Sequence, residues 1–379
     1  MSDKRIELPY LDGIRGAAAL TIVLYHAFLF TGHTGDAYND LPILGWFLGY
    51  GYLGVPIFIV LSGYVLMLPI AMQREFKLRT SFKRYIGRRA RRILPPYYAA
   101  LAISLILIAT FPIMQEPSGT QWDTKVPVTI GGTISHLLLI HDMSGSWIGQ
   151  INGPLWSIAV EWQIYFLMPL VILPLWRRVN PIIVASGLLV ASLSVALLFG
   201  RFPYAHPWLI GLFSLGMLAA YSTLNANWEL LWLLRATKML TLCTVVVLFG
   251  AWNWMHSHPW ASESLVGILF AASLVILGRA SLAGIESRVI NFFKSALMIR
   301  LGLVSYSVYL LHSPLIGLAN LLTLHWNLPT WLQYLFLTLV VVPTVLAVCV
   351  GFYWLVERRF QNTHQRSVSS TQVVQSSTS

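Results

Sequence analysis

Two ionisable side chains, Arg15 and His26, stand inside the first long apolar run of the sequence. Eleven residues is close to three helical turns, so His26 falls about 20° past Arg15 on the helix face and roughly 16 Å further along the axis. A titratable group surrounded by hydrocarbon is costly to keep, which makes each one a functional candidate by default. The structural alternatives are that Arg15 snorkels to the interface and pairs with Asp12, and that His26 hydrogen-bonds a neighbouring helix.

Two further candidates reach the same depth when antiparallel helices are counted from their own ends. His26 lies about 18 Å from the face at which its helix starts. Glu161, in GPLWSIAVEWQIYFLMPL, enters from the opposite face and lies about 22 Å from the same reference in a core near 30 Å thick. His312, in VSYSVYLLHSPL, falls at a similar level. A histidine, a carboxylate and a second histidine in one layer suit acyl transfer to a hydroxyl. Histidine titrates nearest to working pH and can take the hydroxyl proton, while a carboxylate fixes its tautomer and steadies the imidazolium. For Glu161 and His312 the competing reading is an interhelical polar contact. Ser62, in FIVLSGYVL, offers a hydroxyl, but beside Gly63 it reads as a packing residue.

The segment FKRYIGRRARRILPPYY, residues 82 to 98, places Arg88, Arg89, Arg91 and Arg92 in a basic loop before a helix opened by Pro95 and Pro96. Such a cluster can clamp phosphates through charge-assisted forks. It serves equally as an anchor for anionic lipid head groups. The sequence has neither a Walker loop nor a dinucleotide glycine fingerprint, so a nucleoside triphosphate or nicotinamide is not indicated. Cys243 and Cys349 lack metal-ligand spacing, and we expect no metal and no permanently bound cofactor.

The elements that must position these residues follow from composition. Of 379 residues 56% are hydrophobic and 10% charged, against about a quarter charged in a soluble domain. Apolar runs near twenty residues recur at about 14–30, 51–71, 94–112, 156–175, 181–199, 206–222, 238–254, 263–279, 297–318 and 332–355, each long enough to cross a bilayer. The expected fold is an all-α polytopic membrane protein with about ten transmembrane helices and both termini cytoplasmic. In that topology 22 of the 25 Lys and Arg face the cytoplasm, as the positive-inside rule requires. Among them are Lys4, Arg5, Arg74 and Arg366, whereas Lys125 and Arg201 fall outside. The net charge of +11 is thereby explained without nucleic acid. Residues 113–155 read as a partly ordered outer cap. The run Met1 to Pro9 has no cleavage site, so the first helix is expected to be retained. The expected division is a membrane domain over 1–360 and a disordered Ser-rich cytoplasmic tail over 361–379.

The block LPYLDGIRGAAALTIVLYHA resembles the opening helix of the acyltransferase 3 family, whose hallmark is an Arg and a His with ten residues between them. GYLGVPIFIVLSGYV, RRARRILPPYY, GPLWSIAVEWQIYFLMPL and GLVSYSVYLLHSPL follow in the family's order, so the resemblance spans the chain up to about Phe360. It implies a multi-pass O-acyltransferase of a bacterial-type cytoplasmic membrane. The donor would be acyl-CoA, most often acetyl-CoA, and the acceptor a hydroxyl of a glycan, a lipid-linked sugar or a small molecule such as a macrolide. His26 would be the base, Arg15 part of the donor channel, and Arg88, Arg89 and Arg92 the phosphate contacts. Glu161 would orient His26 or meet the acceptor, with Asp12, Trp156, Tyr306 and His312 as further substrate-side candidates. Some family members carry an appended soluble hydrolase-like domain; here the sequence ends in the Ser-rich tail, which speaks against a second acyl relay outside the membrane. The rival readings are a proton-coupled transporter or flippase, which also uses intramembrane Arg, His and Glu, and a non-catalytic membrane scaffold.

Overall fold

The computed structural model describes residues 6, 8–73, 75–199, 203–225 and 230–361. Lys4, Arg5, Arg74, Arg201, Arg366 and the tail from residue 362 lie outside the described residues. All described elements are helical. The long ones are α1 (Tyr10–Leu29), α2 (Pro42–Ala71), α3 (Phe82–Thr110), α4 (Leu155–Trp176), α5 (Pro181–Leu198), α6 (Trp208–Asn225), α7 (Trp232–Gly250), α8 (Pro259–Leu282), α9 (Ala296–Trp326) and α10 (Thr330–Phe360). Among the described residues, nine of these, α2 to α10, are long and apolar enough to cross a membrane. At 20 residues α1 matches a membrane crossing in length, and Asp12, Arg15 and His26 lower its hydropathy. The chain is an all-α polytopic membrane protein.

Lipid supplies no hydrophobic drive between helices, so close backbone approach through small residues holds such bundles together. Helix α1 lies along α9, and the seam is glycine. A Cβ on Gly302 would fall 2.0 Å from the Asp12 carbonyl oxygen, and one on Gly16 would fall 2.6 Å from the Gly302 nitrogen. The same device joins α2 to α6, where a Cβ on Gly63 would meet the Phe213 carbonyl at 2.1 Å and one on Gly216 the Val60 carbonyl at 2.0 Å. Helices α5 and α7 stand at the periphery with few of their residues buried, as apolar groups facing lipid should be.

The basic segment differs from its expected form. Helix α3 runs unbroken from Phe82 to Thr110 with Pro95 and Pro96 inside it, so the arginines sit on a helix rather than in a loop. Each proline removes one backbone hydrogen bond, but the preceding Lys, Arg, Ala and Ile residues are strong or adequate helix formers. Arg92 consequently lies one turn from both Arg88, at i, i+4, and Arg89, at i, i+3. Over residues 111–154 the cap consists of short 3-10 turns and one helix, Ile130–Leu137. Within it the indole of the fully buried Trp122 donates to the Met114 carbonyl at 2.9 Å, and the same ring packs on α9, where a Cβ on Gly317 would lie 2.6 Å from it. Asn152 adds donations to Ser104 Oγ at 3.1 Å and to the Leu310 carbonyl at 2.9 Å.

Candidate active site

The glycine seam sets α1 and α9 close enough for their histidines to touch. His312 Nε2 lies 3.2 Å from His26 Nδ1, and the ring centroids are 4.8 Å apart. His312 Nδ1 is 2.9 Å from the Val308 carbonyl, and His26 Nδ1 is 2.9 Å from the Ile22 carbonyl. A carbonyl only accepts, so both Nδ1 atoms carry protons. His312 Nε2 is then a lone-pair acceptor, and His26 Nδ1–H is shared between it and the Ile22 carbonyl. This leaves His26 Nε2 as the basic atom of the pair.

Three cavities run past these residues. The first, about 650 Å³, is lined by Asp12, Arg15, Arg79, Tyr85, Arg88 and Arg89 among others. A middle cavity of about 110 Å³ shares Arg15 and Arg89 with it and adds Arg92, Glu161, Tyr165 and Tyr306. A third, about 300 Å³, lies under the cap and is lined by His26, Trp156, Gln121 and Lys125, sharing Val55 and Tyr309 with the middle one. The sequence stripe from Arg15 to His26 thus follows a string of cavities from one end of the bundle to the other.

Each candidate has a definite place along it. Arg15 donates to Asp12 at 2.9 Å, the pairing that the i, i+3 spacing suggests. Arg88 donates to Thr80 Oγ1 at 2.8 Å. The Nε of Arg89 is buried with no hydrogen-bond partner, an expensive state that an anionic or carbonyl oxygen in the cavity would relieve. Tyr306 donates to the Ile93 carbonyl at 3.0 Å. Trp156 stacks on His206 with centroids 3.8 Å apart.

Glu161 is not beside His26. It accepts a hydrogen bond from Tyr165, which is also 3.0 Å from Ser62 Oγ, and it lines the middle cavity among the arginines. Depth counting fixes height but not the direction a helix face takes, and α4 turns its 161/165 face toward α2 and α3. The neighbour that holds His26 is His312. Two residues at the site escaped the sequence reading. Tyr309, one turn before His312 on the same face, bonds Ser157 Oγ at 2.6 Å and the Pro154 carbonyl at 3.0 Å. Lys125 was counted only as one of two outside charges. Its amine is buried in the cap, and that burial pulls its pKa down to about 8.

A family described as an acyltransferase domain matches residues 8–354 of the chain. The chain belongs to the acyltransferase 3 family. Acyltransferase 3 relatives include BcsY of Komagataeibacter xylinus, named as a membrane-bound transacylase, which is 26% identical over 82% of this chain and 74% of its own length. The acyltransferase MdmB of Streptomyces mycarofaciens is 24% identical over 82% of this chain and 80% of its own. The peptidoglycan O-acetyltransferase OatA of Listeria monocytogenes is 28% identical over 48% of this chain, and the match spans only 28% of that protein. No solved structure matches. As an acyltransferase 3 member with a polytopic bundle, the chain is a membrane acyltransferase.

Proposed function

We propose that the protein is an O-acyltransferase that carries an acyl group, by preference acetyl, from acyl-CoA across the bundle to a carbohydrate hydroxyl, with His26 as general base. The observation that carries this reading is that His26, held by His312, opens onto the cap cavity while the arginines line the first cavity, and the middle cavity shares Val55 and Tyr309 with the one and Arg15 and Arg89 with the other. The Arg88 end would face the cytoplasm of a bacterial-type membrane, where acyl-CoA is made, consistent with the sequence-wide charge asymmetry. Arg88 and Arg89 would hold donor phosphates, and the unpartnered Arg89 Nε supports an oxygen-bearing ligand there. Arg92, Arg15 and Glu161 would line the passage of the narrow pantetheine arm. Glu161 would offset part of the guanidinium charge around an uncharged guest.

In the reaction the acceptor oxygen forms a C–O bond to the thioester carbonyl and the C–S bond breaks. His26 Nε2 receives the hydroxyl proton as attack begins and returns it to the leaving thiolate, while His312 keeps Nδ1–H of His26 in place. The transfer is direct: the hydroxyl of Ser62 is held at Tyr165 in the middle cavity, away from His26. Purified protein in detergent should release thiol from acetyl-CoA slowly without acceptor, and His26→Ala should abolish that release while retaining acetyl-CoA binding. Equal release by both proteins, or an acyl adduct trapped on the chain, would overturn the mechanism. Failure of the folded wild type to bind acyl-CoA would return the transporter reading.

A further inference from the structure

Lys125 ends the short turn Gln121–Lys125 of the cap and is only 7% exposed. Its amine donates to Thr124 Oγ1, and no carboxylate lies within ion-pair distance of it among the described residues. The cavity it lines, the same one that His26 lines, contains no Asp or Glu. The amine packs directly on bare backbone: a Cβ on Gly153 would lie 2.8 Å from Lys125 Nζ. A buried ammonium with no counter-charge is unfavourable unless something supplies the anion. Burial alone draws this amine down to about 8, so near neutral pH it still carries its charge.

The remaining walls indicate what brings that anion. Tyr25, Tyr52, Trp156 and Tyr309 give aromatic faces with polar tips, and His206 stacked on Trp156 holds one of them in place. About 300 Å³ is at the small end for a ligand cavity, enough for about one sugar ring. Apolar faces with one charged group and one base describe a site that orients a single ring by its charge.

We infer that the acceptor is an acidic sugar, whose anionic group is held by Lys125 while a nearby hydroxyl faces His26. This rests on the acyltransferase reading. It places Lys125 in acceptor binding, on the side of His26 away from the arginine-lined donor cavity.

The first test needs no donor. Reductive methylation of Lys125 in the full-length protein, followed by mass spectrometry, should be blocked by methyl glucuronide or glucose 6-phosphate and not by methyl glucoside. The better protector tells whether the anion is a carboxylate or a phosphate. Equal protection by all three, or by none, overturns the inference. The second test compares transfer. Lys125→Met should raise KM for the protecting anionic sugar about 10- to 100-fold, as loss of a buried charge-assisted contact does. Acceptor-free thiol release should change much less than KM for the anionic sugar, and Lys125→Arg should restore much of the lost affinity. A uniform fall in kcat, including acceptor-free release, would place Lys125 at the transition state and refute the assignment. The His26 dependence of thiol release, read in the same preparations, reports separately on the acyltransferase reading.

Discussion

His312 Nε2 accepts from His26 Nδ1–H across the α1–α9 seam at 3.2 Å, so one histidine orients the other where a triad would place a carboxylate. His312→Phe removes that acceptor and leaves the Ile22 carbonyl alone to hold the tautomer. We expect kcat to fall about 10- to 100-fold with donor KM unchanged, within the range general-base positioning supplies. His312→Gln, whose amide oxygen can accept, should lose less. Thiol release from acetyl-CoA reads the difference; an active Phe variant would remove His312 from the mechanism.

Arg89 is half-buried with its Nε buried and unsatisfied, and its side chain lines both the first and the middle cavity. Arg89→Met should weaken acyl-CoA binding about 10- to 100-fold, and Arg89→Lys should recover only part of it because a point charge cannot reproduce the guanidinium fork. Calorimetric titration of the detergent-solubilised protein would show this. Unchanged affinity in both variants would assign Arg89 to the bundle rather than to the donor.

The glycine seam can be tested against an internal control. Gly302→Ala puts a methyl 2.0 Å from backbone of α1 and should destabilise the fold by about 1–3 kcal/mol, as overpacking does. Gly87, on α3, has nothing within 4 Å of its missing Cβ. There Gly→Ala should stabilise by about 0.4–1 kcal/mol through the unfolded chain. Thermal unfolding of the two variants should therefore move in opposite directions.

The cap should loosen in acid. His136 and His141 stack with centroids 3.7 Å apart, and burial lowers them to about 4 and about 3. An unfolded histidine titrates near 6.5, so both groups bind protons more readily when the cap is open. Their stabilisation is complete above about pH 6.5 and falls with pH toward their folded values, each contributing at most about 1.4 kcal/mol per unit. Asp142, raised by burial to about 6, works with the opposite sign between about 4 and 6 and offsets part of the loss. Hydrogen-exchange protection over residues 111–154, taken relative to the intrinsic rate at each pH, should fall from pH 6.5 to 4.5, and His141→Phe should flatten that dependence.

Much of this was legible in the residues. Apolar run length marks the helices because a bilayer fixes their span, and the ten expected runs correspond to ten long helices among the described residues, nine of them long and apolar enough to cross a membrane. The one-face spacing of Arg15 and His26 is a property of a single helix, and His312 met His26 because both count to the same height. What the sequence withheld depends on relations between helices. Glu161 sits at a plausible depth but faces the arginines, since azimuth depends on how α4 packs. The arginine helix was hidden by two prolines that ordinarily mark a start, and Lys125 reaches the site from a cap whose path no periodicity records.

The narrow middle cavity also bears on the membrane itself. A passage that admits an acyl arm is a hazard to a bilayer that stores an ion gradient, because water entering it could conduct protons. The smallest of the three cavities, about 110 Å³, is lined by Arg15, Arg89 and Arg92 and by one carboxylate, Glu161. Fixed positive charge at a constriction repels hydronium and metal cations, as it does in water-selective pores. The groups assigned to guide the donor would then also keep the resting enzyme electrically tight. Proteoliposomes should hold a pH gradient with the wild type and lose it faster with Arg92→Ala.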